Sequence, residues 1–181
     1  MIVFFGPAGA GKSVQGQILA ARMGWRWLST GQLLRDTKDI ELLHIMHEGK
    51  MVSHEAVTKI MGEAISQSTN IDQLILDGFP RLLEQAHWLV ESKSHHGRDV
   101  ALVIVLEVPR EELLKRLAIR GRADDTPEAI DERLNIYRRE MYPVLNYLTE
   151  QQVSVVHIDG TGTVGQVHDR VVAELTSREL A

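Results

Sequence analysis

The amino-acid sequence predicts an α/β fold, a five-stranded parallel sheet with helices on both faces. Three observations carry the prediction. Short runs rich in Val, Ile and Leu alternate with longer stretches of helical period, the order expected when crossover helices join parallel strands. The runs are continuously apolar, so both faces of the sheet are expected to be covered. The chain has 181 residues, 44% hydrophobic and 25% charged, which is enough for one domain with a sizeable core.

Taken in order, Ile2–Phe5 is the first strand, too short for a helix and wholly apolar. A helix is expected over Val14–Met23, and Trp25–Leu28 is a further strand candidate. Leu74–Leu76, Ala101–Leu106 and Val153–Ile158 complete the set of strands. Thr126-Pro127-Glu128 reads as a cap followed by a first-turn proline, opening another helix. Thr163-Val164-Gly165-Gln166 fits a capping box, and Val164, Val167, Val171, Val172 and Leu175 follow at helical spacing. The crossovers are expected to be right-handed. His95-His96 before Gly97 reads as a loop, and Trp25, Trp27 and Trp88 read as packing residues. His44, His47 and Glu48 share helical spacing and read as a solvated face rather than a metal site.

Composition narrows the function. The net charge is −5, so a strongly basic nucleic-acid surface is not expected. There is no cysteine, which excludes disulfides, thiol catalysis and Cys-ligated zinc. The longest apolar run, Val100–Leu106, is far shorter than the roughly 20 residues of a membrane helix. Met1–Phe5 is too short and uncharged for a secretory signal, so a cytoplasmic protein without membrane partners is expected.

Gly6-Pro7-Ala8-Gly9-Ala10-Gly11-Lys12-Ser13 fits G-x-x-x-x-G-K-[ST] between a strand and a helix, the context a phosphate-binding loop (P-loop) needs. Glycines let successive backbone N–H groups converge on phosphate oxygens, and the following helix aims its positive end at the same point. Lys12 is expected to reach the β- and γ-phosphates and Ser13 to bind Mg²⁺. Leu74-Ile75-Leu76-Asp77 is an apolar strand ending in a carboxylate that can hold Mg²⁺, partly through water. Leu28-Ser29-Thr30-Gly31-Gln32 is similar to a transporter-ATPase signature but lies too close to the loop, and no Asn-Lys-x-Asp guanine reader is present. Fourteen of the 20 basic residues are Arg, seven of them between Arg110 and Arg139, and Arg forks match phosphate oxygens in pairs.

Beyond the loop, five segments in order resemble the nucleoside monophosphate kinases, the adenylate kinase family most closely. They are Gly6–Lys12, Leu28–Arg35, Gly49–Glu55, Asp77-Gly78-Phe79-Pro80-Arg81 with Gln85-Ala86, and Arg116 with Arg120 to Asp125 and Arg133. The resemblance spans nearly the whole chain. It implies a three-layer P-loop fold in a single domain, 1–181, with a monophosphate-binding helical insertion over 30–60 and a short lid over 120–127.

It also implies reversible, Mg²⁺-dependent transfer of the ATP γ-phosphoryl group to AMP. In that reading Gly9, Ala10, Gly11, Lys12, Ser13, Val14, Arg116 and Gly162 hold ATP. AMP is held by Thr30, Gly31, Arg35, Lys50, Met51, Val52, Gly78, Phe79, Pro80, Arg81, Gln85, Arg122 and Arg133. The catalytic residues are Lys12, Arg81, Arg120, Arg122 and Arg133, with Asp124 and Asp125 orienting the lid arginines. Ser13 and Asp77 serve Mg²⁺, zinc is not expected, and the partners are ATP, AMP and ADP with a monomeric protein. Thr30 and Gln85 stand where pyrimidine-specific members usually carry Ala and Asn, which favours AMP.

Two positions depart from the family pattern: Val14 replaces a hydroxyl residue, and Gln32 replaces an Asp linked to Mg²⁺ through water. The alternatives are a UMP/CMP kinase, a small-molecule hydroxyl kinase of the same fold, and a nucleotide-binding regulatory or assembly protein.

Overall fold

Residues 1–47, 52–120 and 126–181 are described by a computed structural model of the chain. Five parallel strands form one sheet in the order β2-β3-β1-β4-β5: β1 Ile2–Phe5, β2 Arg26–Ser29, β3 Leu74–Asp77, β4 Leu102–Glu107 and β5 Ser154–Asp159. The helices are α1 Lys12–Met23, α2 Thr30–Arg35, α3 Ile40–His47, α4 His54–Ser66, α5 Leu83–Glu91, α6 Lys93–His96, α7 Arg110–Arg120, α8 Pro127–Glu150 and α9 Val164–Ser177. Among the described residues no helix is long and apolar enough to cross a membrane.

Alternate strand residues point to opposite faces, so the apolar strands feed two cores. Ile2, Phe4, Ile75, Ile104 and Ile158 pack with Leu19 of α1, Leu113 and Leu117 of α7, and Val167, Val171 and Leu175 of α9. Val3, Phe5, Leu76, Val103 and Val105 pack with Met61 and Ile65 of α4 and Ala86 and Leu89 of α5. The long helix α8 serves both cores. Ile130 and Leu134 near its start join the first, and Val144, Leu145 and Leu148 join the second.

Several expectations shift. Helix α1 begins at Lys12, two residues ahead of the predicted Val14, so Lys12 and Ser13 stand on its first turn. β2 runs one residue later than Trp25–Leu28. Among the described residues, nothing fully covers one face of the edge strand β5. Val156 and Ile158 are buried, while His157 and Asp159 are exposed, and a groove of about 440 Å³ lies over that side against α8. His95-His96 is not a loop but the end of the one-turn helix α6, closed by Gly97 at φ 68°. His96 is buried there: its Nε2 donates to Leu89 O at 3.0 Å, and its Nδ1 accepts from Arg98 N at 3.3 Å. The capping box at the start of α9 forms as expected, with Gln166 N donating to Thr163 Oγ1 at 3.2 Å and Thr163 N to Gln166 Oε1 at 2.9 Å. Val167, Val171 and Leu175 of α9 are buried, whereas Val164 is half-exposed.

Candidate functional site

Parallel strands place their carboxyl ends on one side of the sheet, and ligands bind in the crevice beyond those ends. β1 lies between β3 and β4, with Phe4 level with Asp77 and with Ile104. Whatever follows Phe5 and Asp77 therefore meets at the sheet's centre.

After β1 the chain turns through Gly9 at φ 85° and Gly11 at φ 98°, a backbone region that L side chains rarely adopt. Gly11 precedes α1 with no side-chain cap, so the first amides of that helix are left to a ligand. Lys12 Nζ donates to the carbonyls of Gly6 at 2.7 Å and Pro7 at 2.9 Å, bending its ammonium back over the loop. One residue on, Ser13 Oγ donates to Asp77 Oδ2 at 2.5 Å. A hydroxyl and a carboxylate in contact beside an anion cradle form the hard-oxygen donor set that suits Mg²⁺. Asp77 is 4% exposed, so this carboxylate is a built part of the site rather than a surface charge.

Asp77 also begins the other half of the cleft. Thr30 Oγ1 donates to Gly78 O at 2.9 Å, and Arg81 Nε donates to the same carbonyl at 3.0 Å. Gln85, 4% exposed, accepts on Oε1 from Arg81 N at 2.7 Å and from Leu82 N at 3.4 Å. Thr30, Gly78, Arg81 and Gln85 are thus one hydrogen-bonded unit. Since the Gln85 oxygen is taken up by the start of α5, only its amide N–H₂ is left for a base. Phe79 is buried edge-on against Trp88, with centroids 5.9 Å apart, so it offers the cleft only its backbone. Arg81 still reaches solvent; the surrounding protein lowers its pKa, the Asp77 carboxylate opposes that, and the nearby Arg133 charge adds to it. Asp77 and Arg133 therefore both act on the Arg81 charge.

On the opposite flank, Arg116 of α7 donates from Nε to Glu112 at 2.9 Å and from Nη2 to Gly160 O at 3.0 Å. A Cβ on Gly160 would lie 2.7 Å from Val108 Cγ2 and 3.6 Å from Ala10 O. Glycine there lets the turn after β5 close against the residue that follows β4, while the phosphate-loop carbonyl of Ala10 lies at ordinary contact distance. Arg110 pairs with Asp131, joining α7 to α8 on either side of 121–125.

The family model for adenylate kinase matches residues 4–153. The chain belongs to the adenylate kinase family. An adenylate kinase of Mycolicibacterium paratuberculosis is 37% identical over 180 residues, covering 96% of this chain and 98% of that protein. One from Thermus thermophilus is 35% identical, covering 96% of each chain. One from Porphyromonas gingivalis is 35% identical, covering 94% of this chain and 92% of that protein.

Against this adenylate kinase frame, the structure brings together Gly9, Ala10, Gly11, Lys12, Ser13 and Asp77 on one side and Thr30, Gly78, Arg81 and Gln85 on the other, with Arg133 of α8 near enough for its charge to act on Arg81. Gly31 and Arg35 lie on α2, directly after Thr30. Val14 is 45% exposed, and Val52 precedes α4. Arg120 ends the same helix as Arg116. Lys50, Met51, Arg122, Asp124 and Asp125 lie outside the described residues, as does the side chain of Arg120. Gly160 was missed by sequence reasoning; the glycine two residues before Gly162 was its one available signal.

Proposed function

We propose that this adenylate kinase family member catalyses the reversible reaction ATP + AMP to two ADP, with the donor on the Lys12 side of Asp77 and the acceptor on the Arg81 side. The carrying observation is that Asp77 touches Ser13 on one flank and leads directly into Gly78 on the other, whose carbonyl accepts from both Thr30 and Arg81. A carboxylate placed in this way suits a reaction in which a phosphoryl group crosses between two nucleotides.

The backbone from Gly9 to Val14 would hold the donor phosphates, with Arg116 and the Gly160–Gly162 turn along the donor base. Ser13 and Asp77 would hold Mg²⁺, which when bound neutralises charge on the donor phosphates. Lys12 would leave the Gly6 and Pro7 carbonyls for the phosphate chain. Thr30, Gly31, Arg35, Lys50, Met51, Val52, Gly78, Arg81 and Gln85 would hold AMP. Arg120, Arg122 and Arg133 would gather on the transferred group as 120–127 closes, excluding water that would otherwise hydrolyse ATP. No general base is required, because the acceptor phosphate already carries charge at neutral pH, its second pKa being about 6.

Gln85 favours adenine over guanine. Its remaining N–H₂ is a donor, which suits the lone pair at N1 of adenine and clashes with the N1–H of guanine. The protein is read as a cytoplasmic monomer; the net charge of −5 supports nucleotides rather than nucleic acid as partners.

The test is ADP release from Mg-ATP with AMP, UMP, CMP, GMP, shikimate or gluconate as acceptor. AMP should give the highest kcat/KM. UMP or CMP ahead by about tenfold would overturn the base assignment, and reaction only with a hydroxyl acceptor would overturn the reaction class.

A further inference from the structure

The arginine assigned above to the AMP phosphate is held by a neighbour without an assigned role. Gln32 lies on α2, one turn before Arg35 and Asp36. Its Nε2 donates to both carboxylate oxygens of Asp36, at 2.8 and 2.9 Å, and its Oε1 accepts from Arg35 Nη2 at 2.9 Å. Only this orientation of the amide pairs every donor with an acceptor; the reverse sets oxygen against carboxylate and N–H₂ against guanidinium. Among the described residues, Arg35 makes no other hydrogen bond and no ion pair with Asp36.

A guanidinium next to a carboxylate ordinarily engages it through two parallel N–H bonds, which occupies the edge a phosphate would use. Here the amide bonds both groups. It satisfies Asp36 with its own N–H₂ and touches Arg35 through a neutral oxygen, which leaves the guanidinium charge uncancelled. We infer that Gln32 is a positioning residue for AMP recognition, holding Asp36 off Arg35 so that the open edge of Arg35 meets the AMP phosphate. An Asp at position 32, the usual family residue, would itself add an anion beside Arg35. The inference rests on the proposed function, in which Arg35 binds AMP.

Steady-state kinetics on the whole protein test it. Gln32→Ala should raise KM for AMP about tenfold and leave kcat and KM for ATP within about twofold, the signature of lost acceptor binding alone. In Gln32→Ala/Asp36→Ala, KM for AMP should return to within about threefold of the parent, because the competing carboxylate is gone. Gln32→Glu keeps the shape but sets a second anion on Arg35, and should raise KM for AMP at least as much as Gln32→Ala. An unchanged KM for AMP in Gln32→Ala would overturn the inference. So would a double variant as poor as the single one, which is the result a purely structural role in α2 produces. Absence of AMP phosphorylation by the unmodified protein would instead overturn the proposed function, before any variant is made.

Discussion

A buried polar pair links the phosphate-loop helix to the last helix, and its energetics can be worked from the structure. Gln15 of α1 is 2% exposed and His168 of α9 is 6% exposed. Gln15 Nε2 donates to Val164 O at 2.9 Å, which turns its Oε1 toward His168 Nδ1 at 3.1 Å. An oxygen there requires Nδ1 to carry the proton, so Nε2 is a bare lone pair, buried with no protein partner among the described residues.

The two truncations should therefore differ. Gln15→Leu leaves an imidazole whose proton has no acceptor on either nitrogen, at a cost of about 1–3 kcal/mol. The lost bond to Val164 adds little, since that carbonyl also lies in reach of the amide four residues on in α9. His168→Leu strands the Gln15 oxygen but also removes the lone pair that is unpartnered now. These opposed changes are each about 1–3 kcal/mol, so the net should stay within about 1 kcal/mol. The double variant strands nothing and should be close to the parent, giving a coupling of about 1–3 kcal/mol. Urea unfolding followed by circular dichroism at pH 7.5 measures all four proteins. For a chain of this size each kcal/mol is about 2–4 °C in Tm, so thermal scans resolve the same differences. Equal losses in the two single variants, or a double variant that loses their sum, would refute the reasoning.

Other expectations follow from the same geometry. Lys12→Met should lower kcat at least about a hundredfold, the scale of removing one preorganised charge-stabilising donor, while the fold persists. Near-normal turnover in the ADP-release assay would remove Lys12 from the reaction. Acid should also weaken the fold. Burial holds His168 below the usual histidine pKa, with Arg22 adding to the effect, and burial does the same to His96 against the opposing bond to Leu89 O. The folded protein thus resists protonation that the unfolded chain accepts, and this stability is complete above about pH 6.5 and lost as pH falls below it. Tm measured from pH 7.5 to 5 should fall, less steeply in His168→Leu; a flat profile would contradict the assignment.

The phosphate loop and its strand were legible because everything they need is local. Glycines at positive φ, one lysine and one hydroxyl sit within eight residues, directly after a strand apolar enough to be buried. The same locality made the Thr163 capping box readable, and short continuous apolar runs marked the five strands to within a residue or two at each end. The ordered segments from Leu28 to Arg133 pointed to the family, although spacing alone could not join them.

The tertiary structure decided which of these residues meet. Ser13 and Asp77 are far apart in the chain and touch because β1 and β3 pair with Phe4 level with Asp77. Gln85 was read as a base contact, yet its oxygen closes the start of α5, since a buried amide oxygen must find donors and the nearest are backbone N–H groups. His96 was read as loop because nothing in its neighbourhood of sequence announces Leu89 O and Arg98 N as partners on either side of the ring. Polar side chains such as Gln15 and His168 carry no periodic signal. Their roles depend on which atom each nitrogen and oxygen faces, and that is settled only when separate elements pack.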